Sequence, residues 1–418
     1  MANTAAGAMR PWTDHYPEGI SWDVPINTTP VHETVLACAR TPNADALDFL
    51  GKKTRFGELA RLINAFAGAL QSELGVRKGT RVALLLPNTP FYVIAYYAVL
   101  RIGGIVVNCN PLYTVKELSH IVGNSGAELM VTLDLKLLFD KAEELVDAGH
   151  VKKLIVCHFP DALPTVKKLL YGLAKAKDMS KPDQSRIAAK VVHFNKLIDR
   201  KLTPTPVSID AATDVAVQQY TGGTTGLPKG AMLSHANIAA NLSQIDYWAL
   251  GLFNAPSRTV AVLPFFHIFS MTACLNVPLA AGGQVVMLPR FELKAFLDLM
   301  SRTGANILPA VPTLVQALSK AGDKAKPHLV SVEVTVSGGA PLSDEVRHNW
   351  SKVSSALLAE GYGLTEASPV VCCAALRVPS KPLSIGQPLP GTDIRFVNIE
   401  TGETVPLGER GELQVKGP

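Results

Sequence analysis

The chain has 418 residues, 47% hydrophobic and 18% charged, with a net charge of +5 and a mean hydropathy of +0.19. At about 100–200 residues per domain, this length predicts two or three units with sizeable cores, and the composition excludes a disordered polar chain. Cys38, Cys109, Cys157, Cys274, Cys372 and Cys373 form neither a CxxC pair nor a disulfide-scaffold spacing, so a reducing, cytoplasmic setting is expected.

The first twenty residues lack the apolar core of a secretory signal. A helical pattern over 56–74 precedes the strand VALLL (82–86), a helix to about Arg101, the strand GIVVNCN (104–110), the helix VKELSHIVGNS (115–125) and the strand AELMVTL (127–133). Strands alternating with helices of this length predict βαβ units around a mainly parallel sheet. Two stretches without Asp, Glu, Lys or Arg, 82–100 and 259–289, are broken by prolines and by a Gly282–Gly283–Gln284 turn. Neither supplies the ~20 continuous apolar helical residues that a membrane span requires.

Residues 151–201 hold twelve Lys or Arg against four Asp, which is +8, and predict an irregular or partly helical insertion. Within them, LPTVKKLLYGLAKAK aligns Val166, Leu169, Leu170 and Leu173 on one helical face among lysines. Such a helix is either a solvated surface element or one that lies on an anionic membrane and collects a lipid-soluble substrate. Nucleic acid is not expected, because no binding motif accompanies the charge.

Alternation resumes at 213 with the strand VAVQQYT, a Gly/Thr loop, a helix over 236–250 and the strand-like runs TVAVLP, GQVVML, ANILPA and VEVTVSGG. From Ser384 the chain is richer in Gly, Pro and short β runs. The expected fold is therefore α/β, with two α/β lobes of mainly parallel sheet over 1–383 and the start of a small β unit over 384–418.

Residues 220–230 read YTGGTTGLPKG. Gly222, Gly223 and Gly226 let backbone N–H groups approach an anion, Thr221, Thr224 and Thr225 add hydroxyls, and Lys229 adds a point charge. The spacing is not that of a Walker A loop. Glu366, in GYGLTEASP (361–369), is the hard oxygen ligand that Mg²⁺ prefers beside nucleotide phosphates. SGGAPLS (337–343) follows a strand at its carboxyl end, where ligands sit in open α/β sheets. His267, in LPFFHIFS (263–270), lies in an apolar run where a histidine often serves only the core.

With SIGQPLPG (384–391) and GERGELQVKGP (408–418), these strings resemble, in order and spacing, the core motifs of the adenylate-forming superfamily: acyl-CoA synthetases, luciferases and nonribosomal peptide adenylation domains. NCNPLYTVKELSHIVGNSGAELMV (108–131) resembles bacterial long-chain fatty-acid CoA ligases in particular, so the likeness spans nearly the whole chain. The resemblance implies ATP, Mg²⁺ and CoA, and a fatty acid activated as an acyl-adenylate. It places Tyr220, Thr221, Gly222, Gly223, Thr224, Thr225, Gly226 and Lys229 around the phosphates. Thr224 or Thr225 would join Glu366 on Mg²⁺, with Thr365 at the α-phosphate. Gly338, Gly339, Ala340, Glu360, Gly361, Tyr362 and Gly363 would surround the adenine.

His267 would border the acyl and nucleotide pockets, completing a catalytic set with Lys229, Thr365 and Glu366. Asn241, Gln244, Ile245, Phe265, Phe269, Met271 and Leu275 are candidates for the acyl channel, or equally for core packing. Competing readings are an aryl- or amino-acid-activating relative and a non-catalytic nucleotide or fatty-acid binding module. A homodimer is compatible with the resemblance, as is peripheral contact with the inner membrane face through 151–201. In the resembled family a ribose-binding aspartate, a hinge and a small domain with a lysine needed for adenylation follow GERGELQVKGP. A large N-terminal domain lacking that small domain, impaired in complete thioester formation, is therefore expected.

Overall fold

The computed structural model describes residues 10–222 and 227–418, the side chain of Leu173 excepted. One sheet has seven strands, in the spatial order Val191–His193, Lys153–Cys157, Leu129–Leu133, Arg81–Leu85, Ile105–Asn108, Val215–Thr221 and Lys229–Ser234. Every neighbouring pair is parallel except the last. Parallel sheets need cover on both faces, which explains the short unbroken apolar runs seen in sequence.

Helix Phe56–Ser72 supplies cover through Leu59, Ile63, Phe66 and Leu70. Helix Pro90–Arg101 starts from the side-chain cap of Thr89 with proline in its first turn, and is buried from Phe91 to Leu100. The charge-free stretch 82–100 is thus core. Among the described residues no helix is long and apolar enough to cross a membrane.

The second sheet has nine strands, in the order Gln387–Pro388, Val370–Cys373, Leu357–Gly363, Val334–Ser337, Ile307–Ala310, Arg258–Ala261, Gln284–Met287, Asp45–Phe49 and Lys52–Arg55. The six strands from Leu357–Gly363 to Asp45–Phe49 run parallel, and the outer pairs are antiparallel. Strands Asp393–Val397 and Glu412–Lys416 form a separate hairpin. The architecture is the expected one of two α/β lobes with mainly parallel sheets and a small β element.

Two local expectations need correction. Residues 151–201 are partly helical, with helices Thr165–Ala174 and Phe194–Asp199, but they are not only an insertion: Lys153–Cys157 and Val191–His193 complete one edge of the seven-stranded sheet. The run KLIVC is buried from Leu154 onward, and this short apolar strand is masked in sequence by the lysines around it. The Gly/Thr loop does not lead straight into a helix either. A further strand, Lys229–Ser234, stands before that helix and pairs antiparallel with Val215–Thr221. Helix His235–Ala249 follows, opened by the reciprocal capping of Ser234 and Asn237.

Candidate functional site

The strands Val334–Ser337 and Leu357–Gly363 end side by side, with Val334–Leu357 to Ser337–Glu360 in register. At their carboxyl ends lies a cavity of about 320 Å³. Gly338, Gly339 and the run Gly361–Glu366 line one part of it, and Ile245, Trp248, Phe253, Phe269, Ala273 and Leu389 line an apolar part.

Glycine is required here by close approach. A Cβ on Gly338 would stand 3.2 Å from the Phe269 ring, and one on Gly363 only 2.2 Å from the Pro369 carbonyl oxygen. Gly339 has a φ of +81°. These glycines let the loop backbone pack closely against the Phe269 ring and the Pro369 backbone at the cavity edge.

Thr365 and Glu366 sit on a single 3₁₀ turn, Thr365–Ala367, which packs against strand Lys229–Ser234. Glu366 is exposed and also borders a neighbouring cleft with Asn241, Thr392 and Val415. An exposed carboxylate of this kind suits a hard cation whose other ligands come from a bound molecule. Among the described residues there is no cluster of three acidic, His or Cys side chains that could cage a metal by itself.

Lys229 faces Thr221 in the last pair of the two strands before the loop. The Tyr220 hydroxyl donates to Asn124 Oδ1 at 2.6 Å, and its ring covers Gly230, where a Cβ would come within 2.9 Å. Gly222 is exposed. Gly223, Thr224, Thr225 and Gly226 lie outside the described residues.

His267 stands at the cavity edge, its Nδ1 accepting from the Phe269 N–H at 3.4 Å. Apolar surroundings lower its pKa by desolvation, which favours the neutral ring. After it the helix widens into a π-turn, Met271–Asn276, a feature frequent at functional sites and invisible to periodicity.

The structure departs from the expectation for Glu360. Its side chain is withdrawn from the cavity, 6% exposed, with Oε2 3.5 Å from Arg347 Nη2 and Oε1 accepting from the Leu342 N–H at 3.3 Å. It supports the SGGAPLS loop from below. Ala340 is exposed and lies off the cavity wall.

Of the acyl-channel candidates, Ile245 and Phe269 line the cavity, while Phe265, Met271 and Leu275 are core residues. Asn241 exchanges two hydrogen bonds with the Val370 backbone, and Gln244 donates to the Pro390 carbonyl and to Thr392 Oγ1. Both are structural ties.

Sequence reasoning missed a buried polar chain behind the site. Asn88 donates to the carbonyls of Ala261 and Leu263 and accepts from the Phe265 N–H. The Tyr92 hydroxyl lies 2.8 Å from Asn108 Oδ1 and 3.0 Å from the Phe265 carbonyl. Asn108 donates to Gln219, which donates to the Phe266 carbonyl. The isolated polar letters in apolar strands were the only signal for it.

A second apolar cleft, about 900 Å³, borders Pro264 and Phe266 and is lined by Asn88, Leu138, Phe159, Tyr171 and Phe291, with Lys136 and Arg290 among its residues.

A glycine-lined stretch of the cavity opens directly onto an apolar pocket. The sequence pattern of the AMP-binding enzyme family matches residues 35–418. A long-chain-fatty-acid–CoA ligase of Bacillus subtilis is 36% identical over 416 residues, covering 98% of this chain and 73% of the relative. The crystal structure of a long-chain-fatty-acid-CoA ligase from Archaeoglobus fulgidus superposes with a TM-score of 0.80 at 22% identity, covering 96% of this chain and 77% of that one. An anthranilate CoA ligase in complex with anthranoyl-AMP gives 0.78 at 22% identity, over 94% and 70% of the two chains. The chain belongs to the AMP-binding enzyme family of adenylate-forming acid–CoA ligases.

Proposed function

We propose that the protein activates a fatty acid, with ATP, as an acyl-adenylate and passes the acyl group to CoA. The observation that carries this reading is the single cavity in which the glycine-backed slot, Glu366 and an apolar wall meet. Adenine lies against Gly338, Gly339, Gly361 and Tyr362, and the acyl chain against Ile245, Phe269 and Ala273. The acid's carboxylate oxygen attacks the α-phosphorus of ATP and pyrophosphate leaves. The CoA thiolate then attacks the acyl carbonyl carbon, releasing AMP.

Both reactants of the first step are anions, so this chain contributes mainly positioning and charge neutralisation. Lys229 and the loop amides hold the phosphates, Thr365 orients the α-phosphate, and neutral His267 shields the junction of acid and nucleotide. Mg²⁺, held by Glu366 with Thr224 or Thr225, would neutralise phosphate charge. The 900 Å³ cleft beside Pro264 and Phe266, with Lys136 and Arg290 among its residues, offers the thiol substrate a separate approach.

The names of the sequence relatives support a long-chain acid. The alternative reading is an aryl acid, in keeping with the likeness to the anthranilate CoA ligase. The basic helix Thr165–Ala174, with Val166, Leu169 and Leu170 exposed, supports peripheral contact with an anionic membrane. Measuring AMP release with CoA across fatty, aryl and amino acids tests the reading. Release with aryl acids alone would replace it.

A further inference from the structure

The apolar part of the 320 Å³ cavity is walled by Trp248, whose indole is 1% exposed. Its orientation is fixed from both ends. Nε1 donates to the Ala374 carbonyl at 3.1 Å, and the ring of Tyr16 stands edge-on at 5.3 Å between centroids. Tyr16 is itself held by its hydroxyl, which donates to the Pro388 carbonyl at 2.6 Å.

Tyr16 belongs to an N-terminal strap that the Arg10–Asp393 ion pair clamps at 2.6 Å, with the Arg10 guanidinium 3.6 Å from the Trp22 ring centre. Behind the cavity wall, then, stands a second aromatic on a separate segment.

The nucleotide slot and the acyl wall share this one cavity, so an acyl chain has only the part walled by Ile245, Phe269, Ala273 and Trp248 to enter.

We propose that Trp248, backed by Tyr16, is the floor that sets the longest acyl chain the site accepts. This rests on the reading of the cavity as the acyl site. Chains that stop short of the indole are held by the wall of Ile245, Phe269 and Ala273. Longer ones enter only where the indole yields toward the space that Tyr16 occupies.

The test is calorimetric titration with unreactive acyl-adenylate mimics, octanoyl- and palmitoyl-sulfamoyl adenosine, against the protein and the variants Trp248→Ala and Tyr16→Ala. The readout is the ratio of palmitoyl to octanoyl affinity. Room for even two more buried methylenes raises that ratio about tenfold, and Trp248→Ala is expected to do at least this. Tyr16→Ala, on the half-buried strap, should move it in the same direction by less, and it decides the matter if Trp248→Ala does not fold. An unchanged ratio in folded variants overturns the floor while leaving the acyl site standing. Failure of the parent protein to bind either mimic removes the acyl site and the floor with it.

Discussion

Gln219 Nε2 donates to the Phe266 carbonyl oxygen across 2.6 Å, joining the strand that leads into the phosphate-type hairpin to the segment that carries His267. Gln219 is 4% exposed, and its Oε1 accepts from Asn108 at 2.8 Å. One amide thus ties the two lobes together behind the site. Gln219→Leu would leave the Phe266 carbonyl and the Asn108 amide buried with a missing partner, at about 1–3 kcal/mol. The expected result is a folded protein with a lower melting temperature and at least a tenfold fall in adenylation. Unaltered adenylation in the variant would show that the tie is purely structural.

Glu366 makes a cleaner probe, because it is exposed on a short turn. Glu366→Ala should leave the melting temperature unchanged and abolish Mg²⁺-dependent adenylation. Near-normal pyrophosphate exchange by the folded variant would remove Glu366 from the site.

Vesicle adsorption tests the basic edge of the seven-stranded sheet. Helix Thr165–Ala174 leaves Val166 69%, Leu169 67% and Leu170 60% exposed. Lys168 is paired with Asp161 at 2.5 Å, so other cations of 151–201, such as Lys177 and Lys181, carry the attraction. Each is worth ~1 kcal/mol near an anionic surface, and salt weakens it. Binding to anionic vesicles should fall with added salt and with Leu169→Ser/Leu170→Ser. Equal binding to neutral and anionic vesicles would contradict the electrostatic part.

Stability should fall on mild acidification. His32 and His235 are buried with ring centroids 6.2 Å apart, and Nδ1 of the first and Nε2 of the second lack partners. Desolvation, then repulsion from His235 and Arg101, pulls His32 down to about 3, and desolvation pulls His235 down to about 4. Both depressed histidines stay neutral in the folded protein, while the unfolded chain takes up protons below about pH 6.5. Their stabilising contribution is complete above that pH and is lost as the pH falls toward the folded values. The slope approaches about 1.4 kcal/mol per pH unit for each. Urea midpoints measured from about pH 7 to pH 5 should drop, and less so in His32→Leu. A flat profile would place these rings in contact with water.

Much of the fold is legible in the chain because its elements state their own limits. The helix over 115–125 matches the structure residue for residue, since the Thr114–Glu117 capping box opens it and Gly126, in the left-handed region, closes it. The strand Lys229–Ser234 was missed because its first four residues are not buried and show no alternation. Lys153–Cys157 was hidden because charge dominates its neighbourhood. At the site, Gly338, Tyr362 and Glu366 announce themselves through their strings. The Asn88–Asn108–Gln219 network does not, because Asn108 and Gln219 lie 111 residues apart, Asn88 and Ala261 lie 173 apart, and only the folded chain brings them together.

The central claim, a carboxylic acid joined to AMP in the cavity between Gly338 and Glu366, is tested most directly by acid-dependent exchange of pyrophosphate into ATP. Fatty, aryl and amino acids are offered in turn to the purified protein. The account predicts Mg²⁺-dependent exchange with fatty acids that Glu366→Ala eliminates. Binding of ATP without exchange on any acid would contradict it.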